Sequence, residues 1–229
     1  NKIILPPSLE KLNIDWCRTL KNFNEIQLVG NNANIKYYEN KNIIGKTNTK
    51  NNVFDILYFV NRDLTETLTI PTSIKIIFSN AFHNCRIKSI KIPSSVTEIC
   101  NRAFAVCFNL ENVEIPENSQ LRKIGKNAFF YTKIKSILIP QYVNEIGKEA
   151  FHICQNLEKV EFSENSELKI IGKCAFGNTP IKYIKVPQSV IEISEEAFIC
   201  CYDLEKVEFS ENSELKIIGK SAFKYTSIK

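Results

Sequence analysis

An Ala-Phe dipeptide that recurs at regular intervals most limits how this 229-residue chain can fold. The intervals alternate between 22 and 25 residues, and the dipeptides begin at Ala81, Ala103, Ala128, Ala150, Ala175, Ala197 and Ala222. Two intervals make a double unit of 47 residues, and segment 157–173 returns unchanged at 204–220. Such self-similarity indicates tandem duplication and predicts a repeat architecture.

Each unit also carries a short segment in which apolar residues alternate and a Pro or Ser closes the run. These segments are 87–93, 110–116, 134–140, 157–163, 181–187 and 204–210. Alternation with β-branched residues predicts a brief strand. A turn with further buried positions, such as Val96 and Ile99, follows it. The Ala-Phe segment itself is predicted to form one short helical or 3₁₀ turn.

A unit of 22 to 25 residues cannot bury its own apolar face, so successive units must stack, with strands about 4.8 Å apart. We therefore predict an α/β solenoid over residues 1–229, with a curved parallel β-sheet on one face and short helical or 3₁₀ turns on the other. Residues 1–63 fit the pattern loosely, as irregular repeats or an insertion, whereas 64–229 hold the regular double units. The seven phenylalanines should form one internal column.

The pattern L-x-x-V-x-I-P, followed by I-G-x-x-A-F-x-x-C/T, resembles the leucine-rich repeats of the BspA-like, or Treponema pallidum, type over about residues 64–229. The chain departs from it at Cys100 and Ser194, where Gly usually follows Ile. The resemblance implies a leucine-rich-repeat solenoid from a cell-surface or secreted protein of mucosal microbes, often with a role in adhesion. The family offers no catalytic motif, so no enzyme activity is expected.

Four of the eight cysteines share one place in the repeat. Cys85, Cys107, Cys154 and Cys201 each lie three residues after the phenylalanine, where the alternate units have Thr. A slot that accepts Cys or Thr is predicted to be small and inward. A disulfide between Cys85 and Cys107 stays open as an alternative. No C-x-x-C pair exists, so no metal site is predicted.

The two histidines do not form a catalytic or metal-binding pair. His83 and His152 lie three coils apart, which separates them by roughly 14 Å at the usual strand spacing. The sequence also lacks a Gly-rich phosphate loop and a nucleophile elbow. We therefore expect no cofactor.

Charged residues alternate in sign along the predicted strands. The outward positions are basic in one strand type, at Lys88, Lys91, Lys135, Lys182 and Lys185, and acidic in the other, at Glu111, Glu114, Glu158, Glu161, Glu205 and Glu208. Opposite charges on neighbouring strands stabilise by about 0.2–1 kcal/mol per pair. This interleaving argues against nucleic-acid binding, which requires a continuous basic stripe.

Two outward strand positions are apolar or aromatic instead. They are Leu138 and Tyr183. Because aromatic residues beside charged ones are common in protein interfaces, we predict a binding site on the sheet face with Tyr183, Lys185, Leu138 and Lys91.

The sequence thus favours a non-catalytic adhesion module at the cell surface that binds host matrix, cell-surface or microbial proteins. The alternatives are a structural spacer without a ligand and an intracellular scaffold, which the thiols and the lack of N-x-S/T sequons would suit. No apolar run reaches about 18 residues, so no membrane insertion is predicted. The chain lacks Met and ends within a repeat, so we expect a fragment whose exposed coil ends could self-associate.

Overall fold

A computed structural model describes residues 2–13, 25–39, 42–46, 52–65 and 68–229, which form eighteen β-strands and no helix. The first five strands are β1 (Lys2–Leu5), β2 (Glu25–Leu28), β3 (Ile35–Tyr38), β4 (Asn42–Gly45) and β5 (Ile56–Phe59). Strands β1 and β2 pair in parallel, whereas β3, β4 and β5 pair successively in antiparallel fashion. Strands β1 and β2 form a separate two-stranded sheet, whereas β3 to β5 belong to the sheet of the regular coils.

The regular coils each contribute a long and a short strand, joined by an Ala-Phe turn. The long strands are β7 (Ser89–Lys91), β9 (Asn112–Glu114), β11 (Ser136–Ile139), β13 (Lys159–Phe162), β15 (Tyr183–Val186) and β17 (Lys206–Phe209). The short strands are β6 (Ile76–Ile77), β8 (Glu98–Ile99), β10 (Lys123–Ile124), β12 (Glu145–Ile146), β14 (Ile170–Ile171), β16 (Glu192–Ile193) and β18 (Ile217–Ile218).

The continuous parallel sheet is built from the short strands. Strands β6 to β18 follow one another in this sheet, and β5, β4 and β3 extend it. Isoleucines of neighbouring short strands are aligned, as Ile124 is with Ile146. For the segments that form these short strands, the sequence analysis had predicted only a turn with buried positions. The sheet that was predicted from the long strands is interrupted, because these strands pair in twos as β7–β9, β11–β13 and β15–β17.

Alternating coil length explains this interruption. Eight residues lie between Glu114 and Lys123 in a longer coil, whereas six lie between Lys91 and Glu98 in a shorter one. The longer loop is held by a serine, since the buried Ser119 hydroxyl accepts the Leu121 N–H at 3.2 Å. After each longer coil, the next long strand therefore does not pair with its predecessor.

The predicted helical turns are not found, because the described residues contain no helix and form a β-solenoid. In the Ala-Phe turns, successive backbone N–H groups donate alternately to the next coil and to a carbonyl of their own turn. Phe151 donates to Ala175 of the next coil at 2.8 Å, while Ala150 donates within its own turn to Gly147 at 3.1 Å. A helix would direct all of these groups along its own axis and leave none to join the coils.

This alternation requires two residues in each turn with positive φ, one before the Ala and one two places after the Phe. The fourteen φ values lie between 52° and 64°. Asn adopts this conformation readily, whereas other residues pay roughly 1–2 kcal/mol. Val106 and Ile153 are β-branched residues at such positions, with φ values of 64° and 60°.

The predicted phenylalanine column is confirmed. Consecutive rings stack with centroids 4.5–5.4 Å apart, from Phe82 through Phe104, Phe129, Phe151, Phe176 and Phe198 to Phe223. The coils are close enough here that a Cβ on Gly172 would lie 2.6 Å from the Ile146 carbonyl oxygen, which explains the Gly after Ile. One apolar core runs from Ile44 to Ala222.

A buried arginine lies at the first Ala-Phe turn. The Arg62 guanidinium donates to the carbonyl oxygens of Ala81 at 2.9 Å and Asn80 at 3.0 Å. It also lies 4.6 Å from the centre of the Phe59 ring. Arg62 thus links the irregular segment to the repeat column through charge-assisted hydrogen bonds.

Candidate binding groove on the long-strand face

The four residues predicted to bind a partner lie on three long strands. Tyr183 and Lys185 on β15 are exposed, as is Lys91 on β7, whereas Leu138 on β11 is half-buried. Lys91, Leu138 and Lys185 hold equivalent positions, because they pair with Glu114, Glu161 and Glu208 on the following strands. They form a line across the face rather than a cluster. Tyr183 and Lys185 share a site.

That site is a groove of about 530 Å³ between β13 and β15. No backbone hydrogen bond joins these two strands in the fully described region 68–229. The groove is lined by Lys159, Val160, Glu161, Phe162, Ser163, Glu164, Tyr183, Lys185, Val186, Pro187, Gln188 and Ser210. The sequence had predicted two of these residues.

The groove combines an apolar floor with polar walls. Val160 and Val186 are buried beneath it and Phe162 is half-buried, while Lys159 and Glu161 project outward and pair at 2.8 Å. Cα atoms of β13 and β15 come within 8 Å of each other. An inserted strand would need about 4.8 Å on each side. The groove therefore suits inserted side chains and not an added strand.

Neighbouring side chains hold Tyr183 in place. Its hydroxyl donates to Glu208 Oε2 at 3.0 Å, and Lys206 Nζ lies 5.6 Å from the ring centre. Lys206 also pairs with Glu208 at 3.1 Å. Partial desolvation and the nearby carboxylate raise the pKa of Tyr183, while the hydrogen bonds from Lys206 and Tyr183 lower the pKa of Glu208. The ring is thus a neutral, oriented wall of the groove.

The interruption between β9 and β11 offers an internal comparison. Ser136 stands there in the place of Tyr183, and Ile115 in that of Phe162. The β13–β15 groove therefore has aromatic residues where the other opening has smaller or aliphatic ones. The alternating repeat length is the feature of the sequence that accompanies both openings. It does not show on which face of the coils neighbouring strands fail to pair.

The predicted charge alternation between strands is confirmed in the first coils. Lys91 pairs with Glu114 at 2.5 Å, and Lys135 pairs with Glu111 at 2.8 Å. On the later long strands β13 and β17 the pairs form within one strand, as for Lys206 and Glu208. Because these side chains are largely exposed, each pair stabilises by about 0–1 kcal/mol.

Comparison with known proteins now identifies the repeat. The family model for the BspA-type leucine-rich repeat region matches residues 57–129 and 122–229, with six copies. The chain belongs to this family. A search of curated proteins gave no match.

Solved structures share the fold of this BspA-type chain. A leucine-rich repeat protein from Bacteroides ovatus is 24% identical with a TM-score of 0.66, over 100% of this chain and 50% of that one. The pneumococcal vaccine antigen PcpA is also 24% identical with a TM-score of 0.66, over 80% of this chain and 51% of that one. The T. pallidum leucine-rich repeat protein is 22% identical with a TM-score of 0.65, over 85% and 87%. This chain thus spans about half the length of the first two.

The cysteine slot of this BspA-type solenoid is inward, as predicted. Cys107, Cys154 and Cys201 are buried and donate to phenylalanine carbonyl oxygens of the preceding coil at 2.9–3.1 Å. Burial raises the pKa of Cys154 to about 11. Cys85 and Cys107 are free thiols without a bridge between them, and Cys17 lies outside the described residues.

Both histidines are half-buried. Burial lowers the pKa of His83 to about 4, and the charges of Arg62 and Arg102 add to the effect. Burial also lowers the pKa of His152. No group of three or more His, Cys, Asp or Glu side chains is placed to hold a metal ion among the residues described. Over the same residues, no helix has the length and apolarity to cross a membrane.

Proposed function

We propose that this BspA-type chain is a non-catalytic adhesion module of a microbial cell-surface protein, and that it binds host or microbial proteins through the long-strand face. The observation that carries this proposal is the groove between β13 and β15, which Tyr183 and Phe162 line with aromatic rings. Structural likeness to a protein named as a vaccine antigen supports a surface location.

The chemistry of the groove favours a protein partner. An apolar floor with a charged rim matches the usual anatomy of protein interfaces, in which aromatic anchors supply most of the affinity. Tyr183 is the anchor, and Lys185 lies on the rim. Leu138 and Lys91 extend the contact line across the preceding coils and bind more weakly, since Lys91 is already paired with Glu114.

Binding to extracellular-matrix proteins and epithelial cells tests the proposal. The variant Tyr183→Ser copies the residue that Ser136 supplies at the other opening, so its fold should be retained. Tyr202→Ser is the control, because Tyr202 is 64% exposed and does not line the groove. We expect Tyr183→Ser to weaken binding about tenfold and the control to have no effect. Binding that Tyr183→Ser leaves unchanged would contradict the role of the groove.

A structural spacer is the second candidate. The core continuous from Ile44 to Ala222 and the backbone bonds between coils give the rigidity that a spacer needs. An intracellular scaffold is the third, favoured by seven free thiols among the described cysteines. Absence of binding to every protein and cell type at tens of micromolar would favour the spacer.

A further inference from the structure

A second exposed surface lies on the Ala-Phe turns of three successive coils. Phe108 is 42% and Tyr131 is 41% exposed, and their rings meet edge to face at 5.0 Å. Phe130 is half-buried beside Tyr131, with centroids 6.1 Å apart. Val106 and Ile153 flank Tyr131 in the neighbouring coils and are half-exposed. These five residues form what we call the aromatic patch.

Three residues of the patch lie at backbone positions where Asn is the favoured residue. Val106, Tyr131 and Ile153 all have positive φ, at the position two places after the core phenylalanine. Asn84 and Asn178 occupy the same position on either side, and Asn is well suited to it. Cys200 and Tyr225 occupy it in the last two coils, so the patch is distinguished by its three consecutive large side chains and not by the φ values alone.

Basic side chains border the patch. Arg86, Phe108 and Lys133 each lie four residues after the core phenylalanine of consecutive coils, so Phe108 is flanked by two basic side chains. Arg86, Lys133 and the nearby Lys88 are exposed and form no salt bridge within the described part of the chain. Among the described residues, the rim therefore presents three cations that no carboxylate holds in a salt bridge.

Glu111, a carboxylate close to these cations, already has a partner. Glu111 accepts a hydrogen bond from Lys135 at 2.8 Å. That bond and the charges of Lys135, Lys88 and Lys133 lower the pKa of Glu111, which shows that all three lysines act on the same small region. A negative partner would meet free cations here without displacing an existing pair.

We propose that the aromatic patch and its basic rim form a second binding site, for an acidic protein segment that presents a large apolar side chain. The apolar side chain packs against Phe108 and Tyr131, while carboxylates of the partner pair with Arg86, Lys133 and Lys88. Aromatic residues and arginine are the side chains that most often dominate such interfaces. Opposite charges at the rim speed association and orient the partner. This site is independent of the groove.

Defined peptides test the proposal by fluorescence anisotropy. The main probe is a short labelled peptide in which Asp and Glu surround a central Trp and Leu. One control peptide has Ser in place of Trp and Leu, and another has Lys in place of every acid. Labelled heparin tests whether a sulfated polyanion binds instead.

The protein variants use residues that the chain itself places at equivalent positions. Phe108→Gln copies Gln155, and Tyr131→Asn copies Asn178. The double variant should keep its circular dichroism spectrum, and its melting temperature should equal or exceed that of the wild type because Asn relieves the positive φ. Arg86→Gln with Lys133→Gln tests the rim without touching the patch.

We expect the acidic Trp-Leu peptide to bind with Kd of about 10–100 µM. The Phe108→Gln, Tyr131→Asn variant should weaken it about tenfold. The Arg86→Gln, Lys133→Gln variant, or a rise in salt from about 50 mM to about 300 mM, should weaken it about fivefold. The two control peptides should not bind, and Tyr183→Ser should have no effect, which separates this site from the groove.

Other results overturn the proposal. They are no binding at about 500 µM, equal binding of the Ser or Lys peptide, and unchanged binding to the Phe108→Gln, Tyr131→Asn variant. Heparin binding that depends on Arg86 and Lys133 but not on Phe108 would assign the surface to polyanions and not to protein segments. A double variant that melts well below the wild type would show that the patch is structural.

Discussion

Replacing Phe151 with Ala removes the centre of the phenylalanine column. The Phe151 ring is fully buried and stacks between Phe129 and Phe176, with both centroid distances 5.3 Å and interplanar angles of 5° and 2°. Deleting a buried phenylalanine side chain costs about 3–5 kcal/mol because a cavity remains. Two stacked partners place Phe151 near the top of that range, since each aromatic pair contributes about 0.5–1.5 kcal/mol.

Urea unfolding followed by far-ultraviolet circular dichroism measures this loss. Phe223→Ala is the matched control, because Phe223 belongs to the same column but is half-buried, with Phe198 stacked on it at 5.3 Å. We expect Phe151→Ala to lower the free energy of unfolding by about 4–5 kcal/mol and Phe223→Ala by less than about 2 kcal/mol.

Either of two results would refute the reasoning about the column. One is a loss below about 1.5 kcal/mol for Phe151→Ala, which would mean that the coils close around the missing ring. The other is an equal loss for both variants, which would mean that burial and stacking do not set the stability of a coil.

Three further predictions concern His83, Arg62 and Cys154. Because the His83 pKa of about 4 is below the unfolded value near 6.5, its contribution to stability is complete above pH 6.5 and is lost as pH falls through 4. Wild type should therefore lose roughly 2 kcal/mol more than His83→Ala over that pH range in urea titrations, and parallel curves would contradict this. Arg62→Met should lower the free energy of unfolding by about 2 kcal/mol, since two charge-assisted hydrogen bonds are lost, and an unchanged urea midpoint would exclude this role. Cys154→Thr should change stability by less than about 1 kcal/mol, because Thr132 and Thr179 fill the same buried slot, and a larger loss by thermal melting would show that the slots differ.

Residue spacing predicted the coils, the column and the inward cysteines because stacked units repeat their contacts at the same interval. It could not predict the backbone of the Ala-Phe turns. A helical turn and a turn with alternating hydrogen bonds bury the same Ala and Phe. They differ in the backbone of residues such as Arg102 and Glu149, which have positive φ values of 58° and 56°. Arg and Glu are not residue types that indicate a positive φ, so the sequence gives no sign of this conformation.

The groove could not be predicted from the sequence for a related reason. The outward position of Tyr183 followed from strand alternation, and the structure agrees. Its neighbours Phe162 and Pro187 depend on how one coil lies against the next, which strand alternation does not specify. The extra residues of the longer coils could have been absorbed on any face, and three-dimensional packing places the opening beside β13.

The alternation of long and short coils sets a spacing as well as a shape. Each 47-residue double unit adds one interruption to the long-strand face, so successive openings recur about every 10 Å along the axis. Ser136 at one opening and Tyr183 at the next show that the residues of these openings can differ while the Phe column beneath them stays the same. Duplication of a double unit therefore copies one opening together with the coils that form it. A partner with a matching repeat gains avidity from every added copy.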